Sequence, residues 1–352
     1  MASYAKTSGR DETLSSVIVP SPQRSFSHLY IEKEALDEPD TKLLRKRFPK
    51  ATVVEIDRYT ELFNRSGQSF AAQKAVPKLI LAKKREDLLY RGSPYTPNFG
   101  HRRFFYNAMI LNCLYNCEYC YLQGMYRSGN LVWFVNSGDF FQAVAEELKK
   151  GPLYLCISYD TDMLAFENLL PLCARWAEFS RKEPGLTIEL RTKSANYRAL
   201  ARNAEAHERF ILAWTLSPEA VSRRYEQGTP PITQRLASAR EAMEAGWPVR
   251  LCFDPVLLEG EWEEDYRQLF AEAFAQIDPK RLQDVSVGFF RSNRDFLKTM
   301  RRQRPDSALL NRPWQADAAK QLTYPTSEIE EARATLRSEL LRYLPEGKIH
   351  FA

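Results

Sequence analysis

Six short apolar runs separated by helix-period segments fill residues 101–290, and no other feature of the chain restricts its fold as tightly. The runs are residues 104–111, 153–158, 186–191, 210–216, 249–254 and 285–290, and the helical patterns fall near 139–150, 166–181, 195–204, 233–245 and 263–276. Strands joined through helices return to the same end of a sheet and must pair in parallel. Six such units predict an α/β fold, a partial (β/α)6 TIM-like barrel whose chemistry sits on the loops at the C-terminal strand ends.

Ahead of the barrel, residues 29–31 and 51–56 read as strands and 39–48 as a helix with Pro39 in its first turn. These form a small N-terminal α/β domain. Residues 1–25 are polar, with Pro20 and Pro22, and are expected to be a tail. Pro94 and Pro97 mark a linker at 92–100. The expected division is therefore a tail at 1–25, the N-terminal domain at 26–100, the barrel at 101–300 and a substrate-side extension at 301–352.

Directly after the first run stand Cys113, Cys117 and Cys120, spaced Cys-x3-Cys-x2-Cys. Three thiolates in that spacing can ligate three corners of a four-iron, four-sulfur cluster and leave the fourth iron open to a small molecule. Structural zinc and inert thiols are the competing readings. Zinc is commonly held by paired knuckles with four ligands, and here no second pair follows, His101 lies in another context, and Cys156, Cys173 and Cys252 are isolated.

Composition limits the remaining options. A chain of 352 residues with 44% hydrophobic side chains can bury one or two full cores. No apolar run reaches roughly eighteen residues, which excludes a membrane-spanning helix on length. The polar start lacks the apolar stretch of a signal peptide, so a cytoplasmic location, where thiols stay reduced, is expected. Net charge is +5, with basic residues clustered at Lys42 to Lys50, at Lys83, Lys84 and Arg85, and at Arg301, Arg302 and Arg304. Such clusters can contact nucleic-acid phosphates, although mixed charged surfaces are ordinary. The sequence leaves the oligomeric state open.

A three-cysteine loop after the first strand of a six-unit barrel resembles the radical S-adenosylmethionine superfamily. Within it, Cys117-Glu-Tyr-Cys120-Tyr-Leu-Gln123, then Cys156-Ile-Ser158-Tyr-Asp160, Thr192-Lys193, Tyr225-Glu-Gln-Gly228-Thr229, Trp262-Glu-Glu-Asp-Tyr266 and Arg342-Tyr-Leu-Pro345, look like the spore photoproduct lyase family. The resemblance covers most of the chain from about Leu29 onward. It implies that Cys113, Cys117 and Cys120 hold the cluster and that its open iron binds S-adenosylmethionine. An electron from an external low-potential donor would then release a 5'-deoxyadenosyl radical, chemistry that a cofactor and not a side chain must supply. In the family this radical takes hydrogen from C6 of the thymine dimer called spore photoproduct in DNA, the bridge fragments, and a cysteine returns a hydrogen atom.

Cys156 matches that donor, against the alternative of a small buried hydrophobe. Tyr119 and Tyr121 match two family tyrosines, one beside the adenine and one relaying the radical, with aromatic packing as their alternative. Ser158, Lys193 and Thr215 match positions that contact S-adenosylmethionine, with solvated surface roles as the alternative. Cys173 and Cys252 read as structural. The segment Asn311-Arg-Pro-Trp314 to Tyr324 departs from the family's lesion-holding string: Trp314 and Tyr324 align, while the tyrosine of an arginine-tyrosine pair and the glycines are missing. A radical enzyme acting on another nucleic-acid lesion, a modified base or a peptide is therefore the second reading. A zinc-containing nucleic-acid-binding module is the third.

Overall fold

The computed structural model describes residues 25–92 and 96–352. The expected tail, apart from Ser25, and Pro94 of the expected linker lie outside the described residues.

All six apolar runs form strands, at Phe104–Tyr106, Leu153–Cys156, Leu186–Thr192, Phe210–Thr215, Val249–Val256 and Asp284–Phe289. They lie side by side in chain order, and each neighbouring pair is parallel. Leu153–Cys156 and Phe210–Thr215 are buried at every position, the pattern of a parallel sheet covered on both faces. Two edges were not expected from sequence. Ile349–Phe351 extends the sheet in parallel beyond the sixth strand, and Tyr90–Arg91 pairs antiparallel with the first.

The run at 104–111 corrects one expectation, because it is two strands and not one. Phe104–Tyr106 belongs to the barrel, whereas Ile110–Leu111 pairs antiparallel with Leu131–Phe134 in a second sheet. The bend lies at residues 107–109, where the Asn107 amide donates to the Cys156 carbonyl at 3.2 Å and Met109 accepts from Phe134 at 2.9 Å. Each half of the run thus satisfies its backbone against a different partner, and a continuous apolar run hides such a switch.

The second sheet has the order Thr52–Ile56, His28–Glu32, Leu79–Ala82, Leu131–Phe134 and Ile110–Leu111, parallel except at its last pair. It takes strands from both sides of residue 100, and one continuous hydrophobic core joins it to the barrel. The barrel helices are Ser137–Leu148, Leu172–Lys182, Tyr197–Ala201, Ile232–Glu244 and Trp262–Gln276. The second starts at 172 and not 166 because Pro171 precedes it, and proline disfavours helical geometry in the residue before it. Glu167 caps that start, accepting from the amides of Cys173 at 2.7 Å and Ala174 at 3.0 Å. Trp176 of this helix is fully buried edge-on against Phe141, with ring centroids 4.5 Å apart.

After the sixth barrel strand come the short strands Arg291–Ser292, Gln315–Ala316 and Leu322–Thr323, which form a small antiparallel sheet. The helices Arg294–Gln303 and Thr326–Leu340 complete this C-terminal part. No helix of the described residues is long and apolar enough to cross a membrane.

Candidate active site

The cysteine loop leaves Ile110–Leu111 through Asn112, whose φ of 66° is a left-handed conformation that asparagine tolerates. The Asn112 side-chain amide fixes the turn by donating to the carbonyls of Ser128 at 2.7 Å and Asn130 at 2.6 Å. Lys74, from the helix Phe70–Ala75, donates to the carbonyls of Cys113 and Tyr115. Asn116–Cys117 pairs antiparallel with Glu226–Gln227, and Gln123 donates to the Cys117 carbonyl at 2.7 Å. Arg304 reaches in from the C-terminal part and donates to Gln123 at 2.6 Å and to the Asn116 side chain at 2.7 Å. Side chains from four separate segments therefore hold the loop in shape, with two cations beside it.

A cavity of about 520 Å³ opens at the C-terminal ends of the barrel strands. Cys113, Cys117, Cys120, Tyr119, Tyr121, Cys156, Ser158, Lys193 and Thr215 all line it. The structure thus brings together every site residue expected from the sequence. Trp314 and Tyr324 are absent from its lining. Tyr324 is buried and its hydroxyl accepts from the Leu258 amide at 2.9 Å, Trp314 packs on it with centroids 4.8 Å apart, and Arg312 lies over both rings. On that side the wall is made by Arg291, Asn293, Phe296 and Gln321.

Burial pushes the Cys113 thiol up to about 11, partly offset by Lys74, and it raises Cys117 and Cys120 as well. Buried thiols of this kind become thiolates when a metal cation binds them. Among the described residues no three His, Cys, Asp or Glu side chains gather closely enough to hold a single metal ion. Thiolates sharing one zinc would stand about 4 Å apart, given Zn–S bonds of about 2.3 Å, whereas a cubane takes each cysteine on a different iron. Three thiols on one loop, all lining one cavity, are a donor set that fits the cluster.

Cys156 ends the second barrel strand, 4% exposed, in register with Tyr106 on one side and Glu189 on the other. Burial, reinforced by the Glu189 charge, pushes its thiol up to about 12. The sulfur keeps its proton at any ordinary pH. The Tyr121 hydroxyl donates to the Tyr159 carbonyl at 2.7 Å and to Asp160 at 3.3 Å, which ties it to the loop beyond Cys156. Ser158 accepts from the Arg191 amide at 2.8 Å.

Tyr119 donates to Glu226, a carboxylate that also pairs with Arg235 at 2.5 Å and lies 4.0 Å from Lys193. Burial alone would raise Glu226, but Lys193 and Arg235 outweigh it and hold the carboxyl at about 2. The Lys193 ammonium stands 5.5 Å from the Tyr119 ring centre and its side chain is only 16% exposed, which removes the solvated alternative for this lysine. The Thr215 carbonyl accepts from Arg235 at 3.2 Å.

Sequence reasoning missed the charged barrel interior. Glu189, Arg191 and Asp254 line the cavity, with Arg191 within 3.1 Å of Glu189 and 3.2 Å of Asp254. Beneath them Arg250, 1% exposed, bonds Glu189, Tyr154 and Asp284. A signal was present: Glu189 and Arg191 share one face of a strand whose other residues are Leu, Ile and Thr, and charges in doubly covered strands are rare unless paired.

A partial βα barrel with three cysteines on the loop beyond its first strand defines an enzyme of the radical S-adenosylmethionine class. The family model described as spore photoproduct lyase matches residues 25–352, and the chain belongs to that family. It is 21% identical over 339 residues to the spore photoproduct lyase of Bacillus subtilis (strain 168), covering 92% of this chain and 97% of that protein. The enzyme of Clostridium acetobutylicum is 23% identical over 272 residues, covering 74% and 77%. Among solved structures, a spore photoproduct lyase mutant with dinucleoside spore photoproduct superposes with a TM-score of 0.79 at 19% identity, covering 93% of this chain and 98% of that one. A mutant with bound AdoMet and dinucleoside spore photoproduct gives 0.78 at 19% identity and the same coverage, a likeness of fold.

Proposed function

We propose that this chain repairs spore photoproduct in DNA by a radical route. The observation that carries the reading is the meeting, in one cavity, of the three-cysteine loop with a deeply buried thiol at Cys156. Cys113, Cys117 and Cys120 would hold a four-iron, four-sulfur cluster, and cluster and S-adenosylmethionine together supply a 5'-deoxyadenosyl radical for hydrogen abstraction. Ser158, Lys193 and Thr215 would hold the S-adenosylmethionine, their polar groups lying on three neighbouring strand ends. Cys156 would give its S–H hydrogen to the thymine radical left after the bridge fragments; Tyr121 would then give its O–H hydrogen to the Cys156 sulfur radical and recover one from the methyl group of 5'-deoxyadenosine, so that the radical passes back to the nucleoside. Tyr119, engaged with Glu226, would place the adenine. Six free cysteines suit a reducing cytoplasm.

The test is turnover of dinucleoside spore photoproduct by reconstituted, reduced protein with S-adenosylmethionine. Thymine monomers are expected. Cleavage of S-adenosylmethionine with the dimer left intact would overturn the substrate.

One observation favours a second substrate for the same chemistry, another lesion or modified base. The cavity wall toward the C-terminus consists of Arg291, Asn293, Phe296 and Gln321, while Trp314 and Tyr324 pack elsewhere.

A further inference from the structure

The third basic cluster of the sequence divides on folding. Arg301 donates to the carbonyls of Leu310 at 2.7 Å and Arg312 at 3.0 Å, and Arg304 holds the cysteine loop. Both hold neighbouring chain segments in place. The helix Arg294–Gln303 instead exposes Arg294, Lys298 and Arg302, four residues apart and therefore in one stripe. None of the three has a carboxylate partner among the described residues, and Arg302 contacts only Thr299 of its own helix, at 3.3 Å. The helix carries one carboxylate, Asp295, next to Arg294 and three residues before Lys298, and it makes an ion pair with neither.

The stripe lines a groove of about 520 Å³ together with Leu297, Arg301 and Leu322. The same helix borders the active cavity, because Asn293 and Phe296 from its start, and Gln321 next to Leu322, line that cavity; groove and cavity therefore flank one helix. The helix is also fixed against the cysteine loop. A Cβ on Gly124 would lie 2.5 Å from the Phe296 backbone, and Gln303 donates to the Gln123 carbonyl at 2.9 Å.

We propose that Arg294, Lys298 and Arg302 form a track for the phosphate backbone of duplex DNA flanking the base drawn into the cavity. The proposal rests on the reading of the substrate as a DNA lesion. At 1.5 Å per residue the stripe spans about 12 Å. One strand of B-form DNA carries a phosphate about every 3.4 Å of its axis, so three or four phosphates lie over that length. Unpaired cations along a groove fit a rod-like polyanion that must be held while a base is flipped out.

The experiment measures binding of an undamaged duplex oligonucleotide to the cluster-loaded protein by fluorescence anisotropy across a salt series. Neutralised contacts release counterions, with a slope of about 0.9 per phosphate in the plot of log K against log salt. Replacing all three residues by glutamine (Arg294→Gln, Lys298→Gln, Arg302→Gln) should make the slope shallower by about 2 to 3. The charge-conserving pair Arg294→Lys with Arg302→Lys should restore it, which a merely structural role of the arginine side chains would not do. A slope within about 0.5 of wild type in the glutamine variant, or no salt-dependent binding by the wild type, would overturn the track. Wild-type repair of the dinucleoside, which has no flanking backbone, reports on the chemistry alone, so the two readings fail separately.

Discussion

Cys156 concentrates the account at the scale of single residues. A thiol held up to about 12 by burial, with Glu189 second, stays protonated from about pH 6 to 9, so its hydrogen-donor capacity should be flat over that range and fall only toward its own value. In Cys156→Ala, loss of spore photoproduct should continue while intact thymine monomer falls at least tenfold, as read by chromatography of the products; unchanged monomer yield would remove Cys156 from the reaction. Glu226 tests the support beneath the site. Its carboxyl is held at about 2, below the ordinary 4.5, so it contributes stability above the ordinary value that is lost as pH falls through about 2. Glu226→Gln leaves Arg235 buried without its counter-charge and should cost about 3–5 kcal/mol in urea unfolding. At this scale the sequence was readable wherever a motif was local: the cysteines and their flanking tyrosines sit within nine residues. The pairing of Glu226 with Arg235 escaped notice because each looks like an ordinary surface charge until the fold places them 2.5 Å apart.

Elements were legible by period but not by partner. The strand and helix alternation followed from apolar spacing, since burial on both sheet faces leaves continuous apolar runs. The split of residues 104–111 was not, because two buried strands in tandem show the same run as one. Nor were Leu131–Phe134 and Ile349–Phe351, four and three residues long, too short for periodicity to declare. Gly124 is the sharpest test of element packing. Its missing side chain lets the helix Arg294–Gln303 sit against the helix Leu122–Met125 that follows the cysteines. Gly124→Ala forces these backbones apart and should cost about 1–3 kcal/mol. Because the same contact braces the loop, iron bound per chain after reconstitution should also fall; full iron loading with unchanged stability would contradict this packing role.

Across the whole molecule, one core joins the barrel to the second sheet, and the cysteine loop lies where they meet. Lys74 on one side and Arg304 on the other set positive charge beside a loop that is to hold an anionic cluster. A chelator strong enough to remove iron should therefore abolish turnover while leaving the unfolding midpoint nearly unchanged, since protein bonds hold the loop; coincident loss of fold and iron would show that metal shapes it. The most direct test of the radical account uses dinucleoside spore photoproduct deuterated at C6, with reduced, cluster-loaded protein and S-adenosylmethionine. Deuterium should appear at the adenosyl 5' carbon, in 5'-deoxyadenosine or in S-adenosylmethionine re-formed from it, as thymine monomers form, whereas monomers without label in either, or unlabelled 5'-deoxyadenosine beside intact dimer, would contradict it.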